Sequence, residues 1–192
     1  MEPRLRCATL CFMPNYRRAF VPGDCWFFTV NLLERRQTLL VDHIAALRES
    51  VAKARQSRPC TIDAFVVLPD HLHAVWTLPP GDADFSTRWR LIKSRFARLL
   101  PKQERRSDVR LARNERGIWQ RRFWEHLIRD EADYARHFEY CYINPLKHGL
   151  VTRVRDWPHS SFHRDVHAGI VPLDWAGEAE QNGEFGERWG GA

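Results

Sequence analysis

Hydrophobic positions along the chain follow two periods, and the switches between them mark the elements. Cys25-Trp26-Phe27-Phe28-Thr29-Val30-Asn31-Leu32 is a run of aromatic and β-branched residues opened by Pro22-Gly23-Asp24, and it predicts a strand. Its centre is apolar on both faces, which predicts an interior strand. From about Thr38 to Ser57 the period becomes helical, with Leu40, Ile44, Leu47, Val51 and Ala54 on one stripe and Pro59 closing the segment. Thr61 to Leu68 predicts a second strand with Ile62, Ala64, Val66 and Leu68 on one side, and Pro69-Asp70 turns it into a third that runs to Thr77 as a β-hairpin. A helix follows from Ser86 as N-cap to Leu100, stopped by Pro101. Its apolar stripe is Trp89, Ile92, Phe96, Leu99 and Leu100; its other face carries Arg88, Arg95 and Arg98. Residues 101–116 lack an apolar period and read as an exposed loop. Glu131 to about Asn144 predicts a further helix, with Asp130 or Asp133 at its start and Pro145 placing Asn144 at its end or in a kink.

The length of 192 residues fits one domain, or one domain with a tail. With 8 Trp and 11 Phe, wholesale disorder is excluded. The net charge of +6 and pI near 9.4 point to a polyanionic partner. The five cysteines, Cys7, Cys11, Cys25, Cys60 and Cys141, include no C-x-x-C pair, so neither a disulfide framework nor a cysteine zinc site is indicated. The apolar patch from Cys7 to Met13 is too short for a membrane span, and a soluble protein of the reducing cytosol is expected. Residues 1–14 read as a loose tail. Residues 178–192, where Glu178, Glu180, Glu184 and Glu187 face Arg188, read as a flexible acidic one.

Chemistry concentrates in two places. On the third strand His71 and His73 share a face with Val75 and Thr77, while Leu72, Ala74, Trp76 and Leu78 line the other. Two imidazoles side by side can hold a divalent cation, although the spacing alone more often describes two surface histidines. On the later helix Tyr140 and Asn144 lie one turn apart on one face, with Arg136 and His137 a turn earlier. His71, His73 and Asn144 could together hold one hard cation and leave room for an oxygen of a scissile phosphate, whose phosphorus the Tyr140 hydroxyl could attack. Tyr140 taken by itself reads as a core tyrosine, and Tyr142 is its rival on roughly the opposite face. The second place is 88–122, where basic residues face only Glu104, Asp108 and Glu115, and Trp119, Phe123 and Trp124 interleave with Arg121 and Arg122. Stacking aromatics beside cationic charge suit single-stranded nucleic acid; the same aromatics could be core.

Several strings carry a resemblance: Tyr16-Arg17-Arg18, Trp26 to Leu32, Val67-Leu68-Pro69-Asp70-His71-Leu72-His73, Trp119-Gln120, Phe123-Trp124-Glu125-His126, and above all Tyr140-Cys141-Tyr142-Ile143-Asn144-Pro145-Leu146-Lys147-His148-Gly149. The chain resembles the HUH-type single-tyrosine transposases, specifically the bacterial REP-associated tyrosine transposases, over roughly Tyr16 to Gly177. The resemblance implies an α/β fold of the α+β kind, with a ferredoxin-like (RRM-like) antiparallel sheet and a domain spanning 15–177. It implies cleavage and joining of single-stranded or hairpin DNA at repetitive extragenic palindromes, with Mg²⁺ or Mn²⁺. His71 and His73 match the histidine pair, Asn144 the third ligand, and Tyr140 the nucleophile that forms a 5′-phosphotyrosine. Related transposases more often carry Gln at the third-ligand position, and the shorter Asn144 requires a closer helix. The expected nucleic-acid contacts are Tyr16, Arg17, Arg18, Arg88, Arg95, Arg98, Trp119, Arg121 and Arg122. A cytoplasmic, nucleoid-associated protein follows, as monomer or homodimer. A DNA- or RNA-binding protein that keeps this fold without cleaving is the alternative.

Overall fold

The computed structural model describes residues 23–102, 104, 106–113, 115–176 and 185–186. In chain order its elements are β1 (Cys25–Asn31), α1 (Leu39–Asp42), α2 (Ile44–Ser57), β2 (Thr61–Val67), β3 (His71–Thr77), α3 (Phe85–Leu99), α4 (Asp108–Ala112), β4 (Trp124–Leu127), α5 (Glu131–Lys147) and α6 (Phe162–His167). The four strands form one antiparallel sheet in the order β2-β3-β1-β4. This is the ferredoxin-like arrangement, and β1 is interior, as its two apolar faces require.

The two sheet faces carry separate cores. Trp26, Phe28 and Val30 of β1 and Leu72, Ala74 and Trp76 of β3 pack with Leu47 and Ala54 of α2 and Trp89, Ile92 and Phe96 of α3. Phe27, Ala64, Val66 and Val75 face the other way and pack with Tyr140, Cys141 and Tyr142 of α5. Strand alternation therefore sends His71, His73 and Thr29 toward α5, with Thr29 paired to His73 in the register.

Several expectations are corrected. The helix expected over Thr38 to Ser57 breaks at His43, which ends α1 and begins α2, and the break seats Leu40 under the hairpin turn with its N–H on the Pro69 carbonyl at 3.2 Å. A bulge between Ile62 and Ala64 turns Ile62 to the α2–α3 side, away from Ala64, Val66 and Leu68. The cap of α3 is Asp84, which accepts from the Thr87 N–H at 2.9 Å, and not Ser86. Leu99 belongs to the solvent side, 44 % exposed. Residues 101–116 are not a plain loop: they contain α4, and Arg116 pins the segment through Leu100 O at 2.8 Å, Pro101 O at 2.6 Å and the Glu104 carboxylate at 2.6 Å.

Asp130 caps α5 by accepting from the Asp133 N–H at 2.8 Å. The helix then runs through Pro145 to Lys147, one turn beyond the expected end. Pro145 forfeits one backbone hydrogen bond, and residues 140–145, all buried against the sheet, offset that loss. On the far side, the outer edge of β2 is sheathed by the chain after α5. Val67 N donates to His159 O at 2.9 Å, Ser161 N to Phe65 O at 2.8 Å, and Arg164 to the carbonyls of Ile62 and Asp63 at 2.8 and 2.6 Å. That edge is closed to another strand. No helix among the described residues is long and apolar enough to cross a membrane.

Candidate active site and basic groove

His71 and His73 stand side by side with ring centroids 5.0 Å apart, and His73 meets the Tyr140 ring at 5.2 Å. All three are buried, as is Asn144 one turn further along α5. Each imidazole is oriented through its Nδ1. That of His71 lies 2.7 Å from Asp70 Oδ1, and that of His73 lies 2.8 Å from Thr29 Oγ1. Thr29 has a single hydroxyl proton, and it goes to the Phe185 carbonyl at 2.5 Å. Thr29 therefore accepts from His73 Nδ1–H, and Asp70 accepts likewise from His71. The lone pair of both rings is then on Nε2, the arrangement that second-shell acceptors impose on metal-binding histidines. Burial alone would raise the Asp70 carboxyl; the hydrogen bond from His71, together with the Arg35 guanidinium at 2.5 Å, outweighs it and holds Asp70 below its ordinary value. Two Nε2 lone pairs with the side-chain carbonyl of Asn144 form a donor set that fits a divalent cation.

The Tyr140 side chain, 1 % exposed, has Lys147 beside it: the ammonium donates to the phenol oxygen at 3.2 Å and lies 4.8 Å from the ring centroid. On the ring's face sits Phe185, stacked at 3.6 Å and 10°. Of the acidic tail expected to be flexible, Phe185 and Gly186 are the described part, and Phe185 is buried in the α5-side core. Gly186 has φ +72°, and a Cβ there would come within 2.5 Å of Trp124. Tyr142 points elsewhere, donating to the Asp165 carboxylate. Burial, then that bond, push its phenol far above the ordinary range.

The basic residues separate by what they touch. Arg88 is a correction: it is 2 % exposed, and its guanidinium donates to Asp82 at 2.7 Å and to the carbonyls of Arg58, Pro59 and Asp84 at 3.2, 2.6 and 3.0 Å. It clamps the α2–β2 corner to the start of α3 and offers nothing to DNA. Arg95 reaches across to Glu49 of α2 at 2.5 Å. Arg98, Trp119 and Arg121 line a cavity of about 910 Å³ with Arg90, Lys93, Arg110 and Arg116. Trp89 and Trp119 line it too, and neither indole N–H has an acceptor among the described residues. Trp119 also packs on Phe96 at 5.3 Å, and Trp124 stacks on His126 at 5.7 Å, so each is partly core. Arg122 is exposed outside the cavity. Tyr16, Arg17 and Arg18 lie outside the described residues. Thr29, Asp70, Lys147 and Phe185 received no role from the sequence; Lys147 was findable, being two turns from Tyr140 on the same helix face.

A four-stranded antiparallel sheet that sets a histidine pair against a helix-borne tyrosine defines an enzyme of the tyrosine transposase class. No family model matches the chain. It is 50 % identical over 166 residues to the REP-associated tyrosine transposase of Escherichia coli K12, covering 86 % of this chain and 93 % of that one. It is 46 % identical over 169 residues to a putative REP-associated tyrosine transposase of Haemophilus influenzae, covering 88 % and 96 %. A REP-associated tyrosine transposase solved bound to a REP hairpin superposes with a TM-score of 0.80 at 48 % identity, over 92 % of this chain and 99 % of that one. The chain belongs to the REP-associated tyrosine transposases.

Proposed function

We propose that this protein cleaves and rejoins single-stranded DNA at REP-like hairpins, with Tyr140 as nucleophile, in the bacterial cytoplasm at the nucleoid. The observation that carries the reading is the meeting of His73 and Tyr140, 5.2 Å apart, at the junction of strand and helix. The Tyr140 oxygen attacks the scissile phosphorus, the phenolic proton leaves, and the bond to the 3′ oxygen breaks. The products are a 5′-phosphotyrosine and a 3′-hydroxyl. Lys147 sets positive charge against the oxygen as it becomes negative. His71, His73 and Asn144 would hold Mg²⁺ or Mn²⁺, which when bound polarises the phosphate. Arg90, Lys93, Arg98, Arg110 and Arg121 would neutralise hairpin phosphates.

The test is a covalent adduct between the protein and a hairpin oligonucleotide, resolved on a denaturing gel. It is expected with wild type and Mn²⁺, and with Tyr142→Phe, and expected to vanish with Tyr140→Phe. An adduct that survives Tyr140→Phe and is lost with Tyr142→Phe would reverse the assignment.

A further inference from the structure

We propose that His126, Asp133 and His137 form a second metal site, one that takes a single borderline divalent transition ion such as Zn²⁺ or Co²⁺. His126 stands on β4, while Asp133 and His137 lie one turn apart on α5. One ligand atom from each can be chosen so that all lie within 4.8 Å of one another. A zinc ion holding nitrogen and oxygen at about 2.0–2.2 Å needs those atoms no more than roughly 4 Å apart, so the site closes on an ion with a small contraction. The imidazoles already stack at 4.5 Å and 18°.

The cluster is a built one. Asp133 and His137 are buried, and the His126 side chain, 20 % exposed, is the way in from solvent. His126 Nε2 lies 2.8 Å from Asp133 Oδ2, and His137 Nδ1 lies 2.8 Å from the Asp133 carbonyl and 3.1 Å from Oδ1. The Arg129 N–H at 3.1 Å and the Arg136 guanidinium complete the donors on the carboxylate. These bonds hold the three groups in register before any ion arrives. On binding, His126 and His137 carry their remaining protons on the distal ring nitrogens and present lone pairs inward, and the Arg136 side chain, half exposed, swings out to solvent. Two imidazoles and one carboxylate are the donor types of zinc sites. The ion would bolt the edge strand of the sheet to the helix that carries Tyr140, three residues beyond His137. The inference stands on its own residues and does not depend on the chemistry proposed for Tyr140.

The experiment titrates Co²⁺ and Zn²⁺ into the full-length protein, by calorimetry and by the visible absorption of bound Co²⁺. Whatever binds elsewhere, His126→Gln is expected to remove one equivalent, or to weaken it by at least about tenfold. Equal stoichiometry and affinity in wild type and His126→Gln would overturn the site and leave the cluster an ionic clamp. Arg136→Gln provides the second arm, since it alters a half-exposed side chain and spares the fold. Removal of the competing guanidinium is expected to tighten binding several-fold. Unchanged or weaker binding would rule out Asp133 as a ligand.

Discussion

Thr29→Val is the most informative single change the site allows. Valine has nearly the shape of threonine, so the fully buried position stays filled while two hydrogen bonds disappear. The His73 Nδ1–H loses its acceptor in a buried place, which costs about 1–3 kcal/mol. For a chain of this size that lowers the melting temperature by roughly 2–4 °C per kcal/mol. The ring also loses the partner that keeps its lone pair on Nε2. Loss of such an orienting partner typically weakens metal affinity about 10- to 100-fold, or about 1.4–2.8 kcal/mol. Mn²⁺ affinity of the full-length protein, measured by calorimetry or by electron paramagnetic resonance of the ion, reads this directly. Thr29→Ser should restore most of it, because the hydroxyl returns. A Thr29→Val protein that binds Mn²⁺ within twofold of wild type would refute the tautomer argument, and with it the reading of His73 as an Nε2 ligand.

Three further outcomes are expected. Phe185→Ala removes a buried ring stacked on Tyr140, whose burial is worth about 1.5–3 kcal/mol; if that ring stands where the substrate must come, single-turnover cleavage of a hairpin should rise by roughly tenfold or more, and a fall or no change would mean that it does not. Lys147→Gln should slow adduct formation by about tenfold or more, the equivalent of one charge-assisted hydrogen bond, and Lys147→Arg should recover part of it. Neutralising Arg90 and Arg98 together should flatten the log–log salt dependence of hairpin binding by about 0.7–0.9 per residue, whereas Arg95→Gln, whose partner is Glu49, should leave the slope alone.

Much of the site was legible because it is written in periods. The two-residue spacing of His71 and His73 puts them on one strand face, and the four-residue spacing of Tyr140 and Asn144 puts them on one helix face. The interior place of β1 follows from a centre that is apolar on both faces, and the antiparallel sheet from the family resemblance. What escaped depends on distant partners. The Thr29 hydroxyl acquires its role from His73 across the register and from a carbonyl 156 residues away. Phe185 sits in an acidic stretch whose composition reads as solvated, and its burial reflects one aromatic finding the Tyr140 ring rather than any local propensity. The Ile62 bulge shifts a single residue and leaves the hydrophobic pattern outwardly intact, so alternation alone could not reveal which face Ile62 takes.

The arginines of α3 show how a charge run can be misread and how it can be read better. Treated as one exposed face, Arg88, Arg95 and Arg98 look equivalent. At about 100° per residue they are not. Arg95 lies only about 20° round the helix from Arg88, on the edge of the apolar stripe that turns toward α2, where Glu49 and the Arg58 and Pro59 carbonyls wait. Lys93 and Arg90 lie about 140° and 200° away from Arg88, and these two, with Ala97 between them and Arg98 beyond, line the basic cavity. A cation beside the apolar stripe is drawn into the fold by any unpaired carbonyl or carboxylate within reach, because a guanidinium can bury its stem and satisfy five donors at once. Lys93, on the other edge of that stripe, is drawn in the same way onto the Gln120 carbonyl at 2.6 Å, whereas Arg90 and Arg98 lie across from the stripe, on the cavity wall where a polyanion can reach them. The angular position of each arginine, more than the number of them, decides which ones face DNA.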